Sequence, residues 1–147
     1  MSQSAAASAS ASASAVPVLV VDDQRPFRLA AAAVLRRAEG FELVGEAETG
    51  EQALEQVAVL HPALVLMDIN MPGINGIEAT RRILADNPAT VVFLCSTYQL
   101  GDLPADAHTS GAEAYVNKEE LAPGVLRRLW DDRRSNGVDG RNGLRTV

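Results

Sequence analysis

Cysteine is nearly missing from this 147-residue chain. Cys95 stands alone, which excludes an internal disulfide. It lies in an apolar run and reads as a small core residue of a protein kept in a reducing, cytoplasmic compartment. Aromatic residues make up only 4% of the chain, and no apolar run approaches the roughly 20 residues that a membrane-spanning helix needs. No membrane span is expected. Positive charge is also in deficit, with 13 Lys and Arg against 19 Asp and Glu and a formal charge of −6. Gripping a phosphate backbone requires a basic face, so direct nucleic-acid binding by this chain is not expected.

The 47% hydrophobic content is enough for one core and hardly for two. Residues 1–15, MSQSAAASASASASA, offer no large apolar side chain beyond the initiating methionine and read as a disordered Ala/Ser tail. Without a basic start or an apolar stretch they are not an export signal. Residues 135–147 carry three turn-forming dipeptides, Asn136-Gly137, Asp139-Gly140 and Asn142-Gly143, and read as a second flexible tail. One domain over residues 16–134 is the expectation.

Within it, short apolar runs alternate with helical patterns. Val16 to Val21 reads as a buried strand ending at Asp22-Asp23, and Phe27, Ala31, Val34, Leu35 and Ala38 then follow one helical face. Phe41 to Ala47 is a second strand, and a helix from about Glu51 to Leu60 stops at Pro62. Ala63 to Met67 is a continuous apolar run that delivers Asp68 to a turn, Pro72-Gly73, before a helix reaching about Asp86. Thr90 to Cys95 ends at Ser96-Thr97. Between Leu100 and Ser110, Gly101 and Pro104 oppose a long helix, so a short one starting near Pro104 is expected. Ala112 to Asn117 delivers Lys118, and the last helix starts at Pro123, where a missing N–H costs nothing.

Five strands alternating with five helical segments define an α/β fold: a doubly wound, five-stranded parallel sheet with helices on both faces. In such a sheet the carboxyl ends of the strands share one edge, where ligands bind. Asp22, Asp23, Asp68, Ser96 and Lys118 therefore converge although they are far apart in sequence. Singly, each has a plainer role: an N-cap pair, a polar strand end, a solvated lysine.

Together, VLVVDDQ, LVLMDINMPGINGIEA, VVFLCST and AYVNK, in that order, resemble the receiver domain of two-component response regulators, in particular receivers of the DNA-binding regulator subfamily. The resemblance covers about Val16 to Arg134 and implies the flavodoxin-like strand order 2-1-3-4-5. It implies that Asp68 is the phosphoacceptor and that Mg²⁺ is held by Asp22, Asp23, Asp68 and the backbone carbonyl of Asn70. Ser96 and Lys118 would stabilise the phosphoryl group, with Thr97 beside them, and Ser96 and Tyr115 would be the switch residues. The implied partner is a histidine kinase or a histidine phosphotransfer protein, with a homodimer as a further form. Such a chain is a phosphoacceptor taking part in its own phosphotransfer and dephosphorylation, not an output enzyme.

Two alternatives remain open on the residues. A phosphatase of the haloacid-dehalogenase type would want a second carboxylate where Asn70 stands. A receiver-like interaction module working without phosphorylation would not need the full acidic, hydroxyl and lysine set. No output domain follows Arg134, so the chain reads as a stand-alone receiver or as one cut from a longer regulator. His61 and His108 read as surface residues, and the paired arginines as solvated helix faces.

Overall fold

The computed structural model describes residues 15–136 and 144–146. The segment read as an Ala/Ser tail lies outside the described residues except for residue 15. Strands β1 (Val16–Val21), β2 (Phe41–Ala47), β3 (Leu64–Asp68), β4 (Val91–Ser96) and β5 (Ala114–Asn117) alternate with helices α1 (Arg25–Arg37), α2 (Gly50–Leu60) and α3 (Gly76–Asp86), and α4 (Pro123–Asn136) closes the series. All strands pair in parallel.

The alternation of side chains along each strand divides the core in two. Leu19, Val21, Val65, Met67, Val92 and Leu94 face α2 and α3, meeting Ala53, Val57, Ile77 and Ile83. Val18, Val20, Leu64, Leu66, Phe93 and Val116 face the opposite way, against Ala31 and Leu35 of α1 and Leu126, Leu129 and Trp130 of α4. Both faces of the inner sheet are thus covered, which is why β1, β3 and β4 read as nearly unbroken apolar runs. Local signals set the helix starts. The Thr49 hydroxyl accepts from the Gln52 amide, and the Asn75 side chain accepts from the Glu78 amide.

Two expectations need correction. The segment after β4 has its short helix at the expected place, just after Pro104, but as a single 3₁₀ turn, Ala105–Ala107, preceded by another, Leu100–Asp102. Only Ala107 within these turns is buried, and Leu100 is 55% exposed, so no apolar face repays the cost of a helical nucleus. Side chains also compete for the backbone: the Thr109 hydroxyl donates to the Asp106 carbonyl and the Ser110 hydroxyl to that of Ala107. The five strands take the expected order 2-1-3-4-5, and the second correction is a minor sixth strand added beyond β5. A short β6 (Arg145–Thr146) lies in what read as tail and pairs with β5. The remainder of that tail, apart from residues 135, 136 and 144, lies outside the described residues.

Candidate functional site

The carboxyl edge of the sheet gathers the acidic residues as the parallel topology requires. One carboxylate oxygen from each of Asp22, Asp23 and Asp68 lies within 4.8 Å of the other two. Asp22 and Asp68 are buried, and Asp23 is exposed. Asp22 is held from several sides. Its Oδ1 accepts from the Gln24 amide at 2.8 Å, and its carbonyl accepts from Arg28 Nη1 at 2.7 Å.

Lys118, immediately after β5, points into this cluster. Its Nζ lies 2.7 Å from Asp22 Oδ2, 3.5 Å from Asp68 Oδ1 and 4.8 Å from the centre of the Phe27 ring. Burial alone would lower the lysine pKa, but the Asp22 hydrogen-bonding contact and the charges of Asp68 and Asp22 outweigh it and hold the ammonium above its ordinary value. Asp22 Oδ2 nonetheless has no well-directed hydrogen bond. Its close neighbour is the Lys118 ammonium at 2.7 Å, an ion-pair contact.

Asp68 is pushed up to about 6, first by burial and then by repulsion from Asp22, with Lys118 pulling the other way and Asp23 adding to the rise. An excess of buried negative charge therefore remains after the lysine is counted. Three carboxylate oxygen donors gathered within 4.8 Å of one another suit a hard divalent cation such as Mg²⁺. The residues fit the ion.

The raised pKa has a signed consequence in metal-free protein. A carboxyl that holds its proton more tightly folded than unfolded favours folding at low pH. Stability therefore falls as pH rises through the window from 3.8 to about 6. After allowance for solvent screening the loss amounts to about 1–2 kcal/mol. Urea melts in chelator at pH 4 and pH 7 are expected to show this drop in the native chain and a smaller one in Asp68→Asn; equal drops would refute the assignment.

The other residues named from the sequence lie around this cluster. Ser96 is buried at the end of β4, one register step beyond the Asp68–Cys95 pair, and Thr97 beside it is exposed. Tyr115 is turned inward, with its hydroxyl 2.9 Å from the Ser96 carbonyl and 2.8 Å from the Tyr98 carbonyl. Asn70 is exposed, and its side chain meets the Tyr98 hydroxyl at 3.1 Å. His61 and His108 are both exposed and lie on other elements. Cys95 is buried, and burial pushes its thiol up to about 12, which leaves it an inert core residue.

Two residues escaped the sequence reading. Arg28 is buried, donates to the Asp22 carbonyl and pairs with Glu46 at 3.0 Å and Glu48 at 3.5 Å, so it ties the acidic loop to the end of β2. Its signal was a charge placed beside the inward-facing Phe27, opposite two glutamates whose position is visible only once β1 and β2 are paired. Tyr98 links the loop after β3 to β5: its hydroxyl meets Asn70, and its carbonyl accepts from Asn117 Nδ2 at 3.2 Å as well as lying within reach of Tyr115.

A parallel α/β sheet with a cluster of three aspartates fit to hold a cation and a lysine at its carboxyl edge defines a receiver-type domain. The family model for the response regulator receiver domain matches residues 18–129, and the chain belongs to that family. It is 37% identical over 103 residues to the response regulator GacA of Pseudomonas viridiflava, covering 70% of this chain and 48% of that one. It is 35% identical over 114 residues to the transcriptional regulatory protein DegU of Brevibacillus brevis, covering 78% of this chain and 48% of the relative. The chain thus spans about half the length of these curated relatives. Among solved structures it is similar to a LuxR-family two-component response regulator from Aurantimonas, with a TM-score of 0.75, 26% identity and coverage of 91% of this chain and 90% of that one. It is also similar to the response regulator domain of Thermotoga maritima CheB, with a TM-score of 0.70, 26% identity and coverage of 80% and 95%. Among the described residues no helix is long and apolar enough to cross a membrane.

Proposed function

We propose that Asp68 accepts a phosphoryl group from a phosphohistidine on a partner protein, a histidine kinase or a histidine phosphotransfer protein. One observation carries the reading: Asp68 is buried at a strand end with two further carboxylates beside it and an ammonium 3.5 Å from its Oδ1. In the transfer an Asp68 carboxylate oxygen forms a bond to phosphorus as the P–N bond to the imidazole breaks. The imidazole nitrogen keeps that electron pair and takes a proton from solvent, and Asp68 becomes an acyl phosphate.

Negative charge meets negative charge in this step, so cationic groups must face the equatorial oxygens. Lys118 supplies one from its position between Asp22 and Asp68. Asp22, Asp23, Asp68 and the Asn70 carbonyl would hold Mg²⁺, which supplies the second positive charge when bound. The Ser96 hydroxyl then donates to a phosphoryl oxygen, with Thr97 beside it. A phosphoryl group carries about −2 charge, and drawing Ser96 towards it disturbs the carbonyl that Tyr115 now contacts. Tyr115 is thereby the second switch residue, and the altered surface changes partner binding or dimerisation.

On this reading the chain works in the cytoplasm as a phosphoacceptor that assists its own phosphorylation and dephosphorylation. The test is incubation with Mg²⁺ and a small acyl-phosphate donor, read by intact mass. One added phosphoryl group is expected on the native chain and none on Asp68→Asn. Absence of labelling on folded, cation-bound protein would overturn the proposal in favour of an interaction module that works without phosphorylation.

A further inference from the structure

The two edges of the sheet are protected in different ways. At the β2 edge, Glu42 and Glu46 are exposed, and the register with β1 slips between Val18 and Leu19. Charges and irregular register both discourage another strand from adding there. The β5 edge has neither device. Ala114, Tyr115 and Val116 are all buried, and an uncharged strand of this kind is a template for strand addition.

That template is occupied. Arg145 pairs with Ala114 and Thr146 with Tyr115, in parallel, and the Arg145 amide donates to the Glu113 carbonyl at 3.2 Å. The preceding Leu144 packs against the same core cluster as Tyr115. The Arg145 guanidinium enters a pocket of acceptors: Nη2 donates to Glu113 Oε2 at 3.1 Å and to the Leu129 carbonyl at 3.0 Å, and Nη1 lies 3.9 Å from Asp132 Oδ2. Main-chain pairing gives such a contact its affinity, and the pocket gives it specificity. In the resident segment the arginine in that pocket follows an apolar residue, Leu144.

We propose that the β5 edge, with Glu113, Asp132 and the Leu129 carbonyl, is a strand-addition site for an extended segment of apolar-Arg-polar sequence, and that Leu144–Thr146 is a displaceable resident occupant. The fit of the resident supports displacement. Its strand is two residues long, its Nε is buried without a hydrogen bond, and Asp132 stands beyond hydrogen-bonding distance. A segment from another chain that pairs over more residues has more to gain on this edge. Occupancy bears directly on Tyr115, the register partner of Thr146, whose hydroxyl reaches the loop after β4.

The inference does not depend on phosphoryl chemistry, and its test contains no phosphodonor. A fluorescent peptide of residues 142–147, NGLRTV, is titrated against the native chain and against full-length Arg145→Ala, in which the resident has lost its anchor. Arg145→Ala is expected to bind the peptide at least about tenfold more tightly than the native chain. The same peptide with alanine for arginine is expected to bind Arg145→Ala at least about tenfold more weakly. Glu113→Gln in the Arg145→Ala background is expected to weaken the native peptide similarly. Equal binding to native and Arg145→Ala chains, indifference to the peptide arginine, or no binding to folded Arg145→Ala would each overturn the proposal. Exchange of the segment between two copies, seen as a dimer of the native chain lost in Arg145→Ala, would support the site with a second copy as donor.

Discussion

Lys118→Ala is expected to slow labelling of Asp68 by about 10²- to 10³-fold, the range found when one preorganised donor is removed from a developing negative charge. The same change is expected to tighten the binding of Mg²⁺. The ammonium lies 2.7 Å from Asp22 and 3.5 Å from Asp68, so it shares its carboxylates with any cation that enters. Removing it removes like-charge repulsion from the metal while depriving the phosphoryl oxygens of one positive partner. Opposite signs in the two measurements are the diagnostic feature. A residue that merely held the loop in place would weaken both when lost. Lys118→Arg should recover little of the rate, because a planar guanidinium cannot replace a compact point charge between two carboxylates and over the Phe27 ring. Cation titrations and labelling time courses on the three proteins decide the matter. A Lys118→Ala chain that labels at the native rate would remove this lysine from the mechanism.

The site was legible in the sequence because its parts stand at the ends of apolar runs, and a parallel sheet carries all such ends to one edge. Asp22, Asp68 and Lys118 could be grouped without knowing a single contact. Arg28 could not, since its reason for burial lies in Glu46 and Glu48 on a neighbouring strand and in the Asp22 carbonyl. Pairings between side chain and distant backbone leave no periodic trace. The same limit explains β6. Arg145 follows three turn-forming dipeptides and has no apolar run around it, so local preference reads as tail. The structure stabilises it through partners on β5 and α4 that only the folded chain provides. The stretch between Leu100 and Ser110 was legible in part, as a short helix after Pro104 but not as a 3₁₀ turn. Proline and glycine warned of a weak helix, and the shortage of buried apolar groups reduced it to single turns.

Gly76→Ala is expected to be the most damaging small substitution in the fold, because the residue matters through space and not through conformation. At the first position of α3, a β-carbon would clash with the Asp68 carbonyl oxygen and come within 2.8 Å of the Asp68 carbonyl carbon and 3.0 Å of the Ile69 α-carbon. All three are backbone atoms, so no side-chain rotation relieves the clash. The Gly76 amide also donates to the Ile69 carbonyl at 2.8 Å, which fixes the approach from the other direction. The start of α3 must therefore move away from the end of β3 by more than an ångström. Ordinary overpacking costs about 1–3 kcal/mol, and a clash confined to backbone belongs at or above the upper end of that range. For a domain of this size about 3 kcal/mol corresponds to a fall in melting temperature of about 10 °C. The displaced atoms belong to Asp68 itself, so labelling of folded Gly76→Ala should fall by about 100-fold as well, the loss that a 1 Å misplacement can impose. Gly101→Ala supplies the contrast. Its β-carbon would meet nothing within 4 Å, and native stability and labelling are expected. Similar melting temperatures for the two alanine variants would show that α3 does not hold Asp68 in place through this contact.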